Sequence, residues 1–250
     1  SRGLGDVYKR QIVSGAAFLP QEIIDWYQKL DVFILNGYGM TENCCVCSYL
    51  DTKNSKGKGS VGLPWDEVEV KIGDDGAILN KGPFLLKEYY KNKEYTNRVL
   101  KDGWFNTGDK GYIDDDGYLH ITGRVKDIFK TSKGKYIEPH LIEEKFEKSN
   151  LFQQLCVVGL GLPQPILLGV LNDLSKSNVN ETSEKMIDYL EKINSSLDSY
   201  KKIKKVVFVK NEWTPENDLT TPTLKIKRAK IDEEFSKNYD SWYNLSLIHI

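Results

Sequence analysis

The chain has 250 residues, 40% hydrophobic and 28% charged, with 35 Lys and Arg against 36 Asp and Glu for a formal net charge of −1. That balance is globular, sufficient for one large or two small domains, and lacks the basic excess that would make nucleic acid the main partner. No apolar run approaches the roughly 20 residues a membrane helix needs, so any membrane association is expected to be peripheral at most.

The ends are set aside before the fold is read. Leu245 to Ile250 can be encoded by a string whose reverse complement translates as Asp6 to Gln11. The two ends therefore resemble one DNA adapter, the transposon end of sequencing libraries, read from both sides, and Ser1 to Gly5 match its continuation. Residues 1–11 and 245–250 are expected to be adapter-derived, and Ile12 to Asn244 natural sequence.

Val32 to Leu35 predicts a strand emptying into the glycine-rich turn Asn36-Gly37-Tyr38-Gly39, and α/β folds place ligands at such strand ends. Cys44, Cys45, Cys47 and Cys156 include no zinc-type C-x-x-C pair, and no histidine lies near the first three to complete a site. They are expected to be small apolar residues, and free thiols fit a reducing cytoplasm. Val61 to Ile72 alternates in part, Asp74-Asp75-Gly76 predicts a hairpin turn, and Ala77 to Leu79 starts the return strand. Asp114-Asp115-Asp116-Gly117 predicts a second hairpin between Gly111-Tyr112-Ile113 and Tyr118 to Thr122; it lacks the ligand spacing and closing glutamate of a calcium loop.

After Gly123-Arg124 the pattern changes. Pro139 is placed to start a helix carrying Leu141, Ile142, Lys145, Phe146 and Ser149. Leu155 to Leu160, Ile166 to Leu171 and Val206 to Val209 predict strands, and Met186, Leu190, Ile193 and Leu197 form the apolar stripe of an amphipathic helix. This alternation predicts a separate small α/β or α+β domain from about Val125 onward. Asn211 to Leu224, rich in Pro, Thr and Asn, predicts an exposed loop leading to a basic segment.

Gly37-Tyr38-Gly39-Met40-Thr41-Glu42 packs two glycines, an aromatic, a hydroxyl and a carboxylate into one turn. Alone it reads equally as a tight turn with a surface Glu. It resembles, however, the Tyr-Gly-x-Thr-Glu motif of the adenylate-forming enzymes, and further segments similar to that family follow in family order. These are Thr107-Gly108-Asp109, the long string from Gly123-Arg124 through Lys126, Lys133 and Gly134 to Pro139, and Leu224-Lys225-Ile226-Lys227-Arg228. Upstream, Ser14-Gly15-Ala16-Ala17 is similar to the small-residue segment lining the adenine slot. The chain is thus identified as resembling AMP-forming acyl-CoA synthetases, in style the long-chain fatty acid–CoA ligases.

The resemblance implies an α/β fold: residues 12–124 as the C-terminal part of a large AMP-binding domain with a β-rich subdomain, and residues 125–244 as a small mobile α+β domain. It implies nucleotide contacts at Gly15, Ala16, Ala17, Asn36, Tyr38, Gly39, Met40 and Thr41, with Tyr38 against adenine and Thr41 on the α-phosphate. Glu42 would help hold Mg²⁺, a cation that takes carboxylate and phosphate oxygens. Asp109 would hold the ribose hydroxyls, with Arg124 as a second ribose or phosphate contact. Lys126 would be the hinge, and Lys133 and Gly134 would line the coenzyme A channel. Lys225 would neutralise charge during adenylate formation, with Lys227 as the neighbouring alternative; Leu224 stands where the family often has Gly. Lys201, Lys202, Lys204 and Lys205 read either as contacts to coenzyme A phosphates or as a solvated helix end.

The implied reaction takes a fatty acid and ATP to acyl-AMP and then, with coenzyme A, to the thioester. The family's phosphate loop and most of the acyl pocket have no counterpart here, so the chain by itself is expected to be inactive. Two alternatives stay open: an adenylation enzyme that loads a carrier protein, and a non-catalytic AMP-binding module.

Overall fold

A computed structural model describes residues 11–16, 19, 21–53, 56–245 and 248–249. It is a mixed α/β structure whose chain divides into two compact units, parting between Val125 and Lys126. Among the described residues no helix is long and apolar enough to cross a membrane.

Among the described residues the first unit holds two sheets. In one, β1 (Gln11–Ser14) pairs in parallel with β2 (Phe33–Tyr38), the connection running through α1 (Gln21–Gln28). Antiparallel β3 (Ser48–Asp51) and β4 (Leu63–Pro64) complete it. The predicted strand at Val32 to Leu35 is found three residues longer at its C-terminal end, so that Tyr38 closes β2 on its buried side. The second sheet is antiparallel: β5 (Glu69–Ile72), β6 (Ala77–Lys81), β8 (Trp104–Ile113) and β7 (Leu100–Lys101) lie in that order, with β9 (Leu119–Arg124) also on β8. Helix α2 (Lys93–Val99), capped by Asn92 accepting from the Tyr95 amide at 3.1 Å, leads into β7.

Both predicted hairpins form. Gly76 takes φ +79° where Asp74-Asp75-Gly76 turns β5 into β6, and the Asp75 carboxylate accepts the Ala77 amide at 3.0 Å. At the second, Gly117 takes φ +87°, and Asp114 accepts the amides of Asp116 and Tyr118 at 3.1 and 2.8 Å and meets His120 Nε2 at 2.8 Å. These local groups occupy the Asp114 carboxylate, as a hairpin turn requires.

In the second unit the hairpin β10 (Phe129–Lys130) and β11 (Tyr136–Ile137) precedes α3 (Pro139–Glu147), which begins at Pro139 as its fixed φ favours. The main sheet runs β12 (Phe152–Val158), β13 (Ile166–Leu171), β14 (Val206–Phe208) and β15 (Ile248–His249). Between β13 and β14 lie α4 (Asp173–Ser177) and α5 (Val179–Ser195); α6 (Arg228–Phe235) and α7 (Tyr239–Tyr243) follow β14. Strand residues alternate between two cores, as a period of two requires. Leu155, Val157, Leu167, Leu171, Val206 and Phe208 pack with Phe146, Met186, Leu190 and Ile193, while Cys156, Val158, Ile166, Leu168, Val170 and Val207 pack with Trp213, Leu219, Ile231 and Tyr239. Burial on both faces is why these strands read as continuous apolar runs. The predicted helical stripe is real as far as Ile193; Leu197 lies past the end of α5 but still packs on the first core.

Candidate functional site

The site in the first unit is built where β2 ends. Ser14 and Asn36 are parallel-strand partners, so the C-terminal ends of β1 and β2 lie side by side. A Cβ on Gly15 would sit 3.1 Å from the Gly37 carbonyl oxygen, so this glycine allows the two strand ends to approach. Ala16 follows in the left-handed region at φ +65°; Ala17 lies outside the described residues. Asn36 is buried at 7% exposure.

Beyond Tyr38 the chain folds back on itself. The Cys45 amide donates to the Met40 carbonyl at 2.8 Å and the Met40 amide to Asn43 Oδ1 at 2.8 Å, with Cys44 and Cys45 both left-handed at φ +54° and +61°. A Cβ on Gly39 would fall 2.3–2.7 Å from Cys45 backbone atoms. The second glycine of the motif is therefore required by the chain's own packing. Thr41 and Glu42 start a 3-10 turn, Thr41–Asn43, with Thr41 exposed and Glu42 half-buried.

Asp109 reaches Tyr38 through a bulge. Strand β8 has Asn106 opposite Leu79 and Lys110 opposite Ala77, so extra residues around Thr107 and Gly108 are squeezed out of the ladder. Gly108 accommodates this at φ +74°, and Thr107 anchors it by donating to the Ile78 carbonyl at 2.8 Å while accepting the Asp109 amide at 3.1 Å. Asp109 Oδ2 then accepts the Tyr38 hydroxyl at 2.7 Å, and Oδ1 accepts Arg124 Nε at 3.1 Å. Asp109 and Arg124 are direct cross-strand partners on β8 and β9. Asp109 is 13% exposed and Arg124 65%, leaving a sheltered carboxylate beside a cation open to solvent. Burial first, and then the Asp109 carboxylate, push the Tyr38 hydroxyl well above its ordinary range, so it stays a proton donor.

The sequence thus brings Tyr38, Asp109 and Arg124 into one hydrogen-bonded array, with Gly39 to Glu42 as the adjoining turn. It does not reveal Tyr89. The Tyr89 hydroxyl donates to Glu42 Oε1 at 2.8 Å, and the Leu86 amide donates to the Glu42 carbonyl at 2.7 Å, so the 86–89 segment steadies Glu42. Burial and then Glu42 raise the Tyr89 hydroxyl well above its ordinary value. No local pattern around Tyr89 signals this contact.

Cys44 and Cys45 are exposed, while Cys47 and Cys156 are buried. Burial pushes the Cys47 thiol up to about 11. Among the described residues no group of three or more His, Cys, Asp or Glu is placed to hold a metal.

The remaining candidates lie in the second unit. Lys126 is exposed in a 3-10 turn, Val125–Asp127, at the point where the units part. Lys133 and Gly134 form the exposed tip of the β10–β11 hairpin, with Gly134 at φ +78° and its amide donating to the Thr131 carbonyl at 2.9 Å. Lys225 stands exposed on a tight turn closed by the Thr220–Ile226 bridge, with its own amide on Thr221 Oγ1 at 3.1 Å. Leu224 adopts φ +61°, the conformation glycine would take without strain. Lys227 is paired with Asp218, whereas the Lys225 ammonium has no ion-pair partner among the described residues.

Comparison with known proteins adds the following. A family model described as AMP-binding enzyme matches residues 7–90, and one described as AMP-binding enzyme C-terminal domain matches residues 126–246. The chain is 29% identical over 259 residues to a long-chain-fatty-acid–CoA ligase (FadD15) of Mycobacterium bovis, covering 94% of this chain and 42% of that protein. It is 31% identical over 259 residues to a chloroplastic long-chain-fatty-acid–[acyl-carrier-protein] ligase of Arabidopsis thaliana, covering 93% of this chain and 35% of that protein. Among solved structures it matches an O-succinylbenzoate coenzyme A synthetase of Bacillus subtilis, in complex with ATP and magnesium ion, at TM-score 0.74 and 25% identity over 89% of this chain and 46% of that one. The chain spans about two fifths of the length of the curated relatives it matches.

Proposed function

Since this chain belongs to the AMP-binding enzyme family, we propose that the intact protein is an AMP-forming ligase that activates a long-chain fatty acid with ATP as acyl-AMP and transfers the acyl group to coenzyme A. The observation that carries this is the Tyr38–Asp109–Arg124 array, a sheltered carboxylate held at the end of a parallel strand next to a turn bearing Thr41 and Glu42. Two oxygens on one rigid carboxylate suit a ribose diol, and an exposed hydroxyl and guanidinium nearby suit phosphate. The acyl class is supported by the names of the curated relatives.

Within this reaction Asp109 accepts from the ribose hydroxyls while Tyr38 and Arg124 hold its plane. Thr41 donates to the α-phosphate. Glu42 keeps one carboxylate edge beyond its bond from Tyr89, which fits Mg²⁺ bound through one protein carboxylate, phosphate oxygens and water. When bound, that cation offsets charge on the phosphates. Lys126 serves as pivot for the second unit, Lys225 neutralises charge as acid and α-phosphate join, and Lys133 and Gly134 line the path of coenzyme A. The chain by itself does not turn over, since it spans under half of the relatives, and we place the protein in the cytoplasm.

Lys225→Ala in the intact protein tests the assignment. ATP–pyrophosphate exchange driven by a fatty acid should fall by about 100-fold with AMP binding kept; a protein that binds AMP without any exchange in its parent form is a binding module. Acyl-CoA formed by the purified 250-residue chain would contradict its proposed inactivity. The similarity to a carrier-protein ligase favours one second reading, transfer to a carrier protein. Offering the acyl-AMP to coenzyme A and to a carrier protein side by side separates the two.

A further inference from the structure

Arg228 is the first residue of α6, and its side chain is bonded on several sides. Its Nη2 donates to both oxygens of Glu143 on α3, at 2.7 and 2.9 Å, and its Nη1 donates to the Val157 carbonyl of β12 at 2.7 Å. Glu143 Oε1 also accepts the Val157 amide at 2.7 Å, so helix and strand meet at this pair. On its remaining edge Arg228 Nε lies 3.6 Å from Asp127 Oδ2, one residue past Lys126. Glu143 is 7% exposed.

Three residues upstream stands Lys225. Its turn is stiff in itself: the Thr221 amide donates to the Lys225 carbonyl at 2.8 Å and the Lys227 amide to the Leu219 carbonyl at 2.9 Å. A stiff turn still needs an anchor to the body that carries it. On the Lys227 side that anchor is Arg228. Lys227 and Lys230 are both committed to Asp218, so of the three lysines between positions 225 and 230 it is Lys225 that the structure leaves to a ligand.

We propose that Arg228 is a positioning residue for Lys225: its guanidinium locks the Thr220–Ile226 turn to α3 and to β12, with the Asp127 carboxylate facing it, so that the Lys225 ammonium travels as a fixed point of the second unit. The inference rests on Lys225 acting in acyl-adenylate formation. A buried Arg–Glu pair is often no more stabilising than a matched uncharged one, so stability alone does not call for it here. What the planar fork supplies is direction, because its donors hold α3 and β12 at once. The Glu143 carboxylate neutralises Arg228, which therefore acts through Lys225 and not on substrate.

The test is the double variant Glu143→Gln with Arg228→Gln in the intact protein, which removes both charges together and keeps an acceptor for the Val157 amide. The expected result is a melting temperature close to the parent's, amide exchange at Leu224 and Lys225 faster by about 10-fold, and kcat of ATP–pyrophosphate exchange lower by about 10- to 100-fold with KM nearly unchanged. Arg228→Lys, which keeps the charge without the fork, should not rescue kcat. A folded double variant with unchanged amide exchange, or with faster exchange but parental kcat, overturns the proposal. If the double variant does not fold, Arg228→Lys alone decides: amide exchange at Lys225 should quicken and kcat should fall by about 10-fold at constant KM, and no change in either overturns it. A parent protein without exchange activity would sink the functional reading itself, and the amide-exchange arm would still report whether Arg228 holds the turn.

Discussion

Replacing Tyr38 by Phe isolates one hydrogen bond. The ring packs with Cys47, Ile78 and Leu119 at 9% exposure and keeps its shape, so apolar burial is unchanged and only the hydroxyl is lost. That hydroxyl donates at 2.7 Å to a carboxylate that is 13% exposed. A hydrogen bond to a charged group is worth about 1.5–3 kcal/mol. Asp109 keeps Arg124 at 3.1 Å on its other oxygen and can admit water at its exposed edge, so the lower end, about 1.5 kcal/mol, is expected. In a double-mutant cycle with Asp109→Ala, which removes the acceptor, read by urea unfolding of the intact protein, the coupling energy should exceed about 1 kcal/mol. AMP affinity should fall in parallel, because the proposed ribose acceptor loses a brace. A coupling below about 0.3 kcal/mol, within the additivity of independent sites, would refute the idea that the hydroxyl and carboxylate are joined in solution.

Gly39→Ala should destabilise the first unit by about 1–3 kcal/mol, since its Cβ would meet immovable Cys45 backbone at 2.3–2.7 Å; unchanged thermal unfolding would show that the turn is open. Leu224→Gly should stabilise the second unit by about 0.5–1 kcal/mol, because an exposed Leu at φ +61° gives up strain and little burial; a lower melting temperature would contradict that conformation. Thiol labelling of the native protein should be fast at Cys44 and Cys45 and slow at Cys47 and Cys156, and rapid reaction of all four would contradict the burial of the last two. The folded Cys47 thiol ionises near about 11 against an ordinary 9.0, so the folded state holds the extra proton between these values and stability falls as pH rises through that window. Cys47→Ala should flatten that part of a urea-midpoint profile, and an unaltered slope would assign the alkaline loss elsewhere.

Sequence alone determined what is local. Turn chemistry placed both hairpins at Asp74-Asp75-Gly76 and Asp114-Asp115-Asp116-Gly117, Pro139 placed the start of α3, and a helical period marked α5, because each depends on neighbours within a few positions. It also determined the order of the motifs, and hence the family. Tertiary structure decided which motif residues meet. Tyr38 and Asp109 lie 71 positions apart and touch only because a bulge at Thr107-Gly108 turns β8 toward the end of β2. Glu42 gained Tyr89 from 47 positions away, and Arg228 gained Glu143 from 85, with no local pattern to announce either. Gly39, expected among the nucleotide contacts, is also needed where the chain's own backbone at Cys45 approaches it. Periodicity and turn preference act over a few residues, while the partner of a buried polar group is chosen by which strands the core brings together, and that is settled only when the whole unit packs.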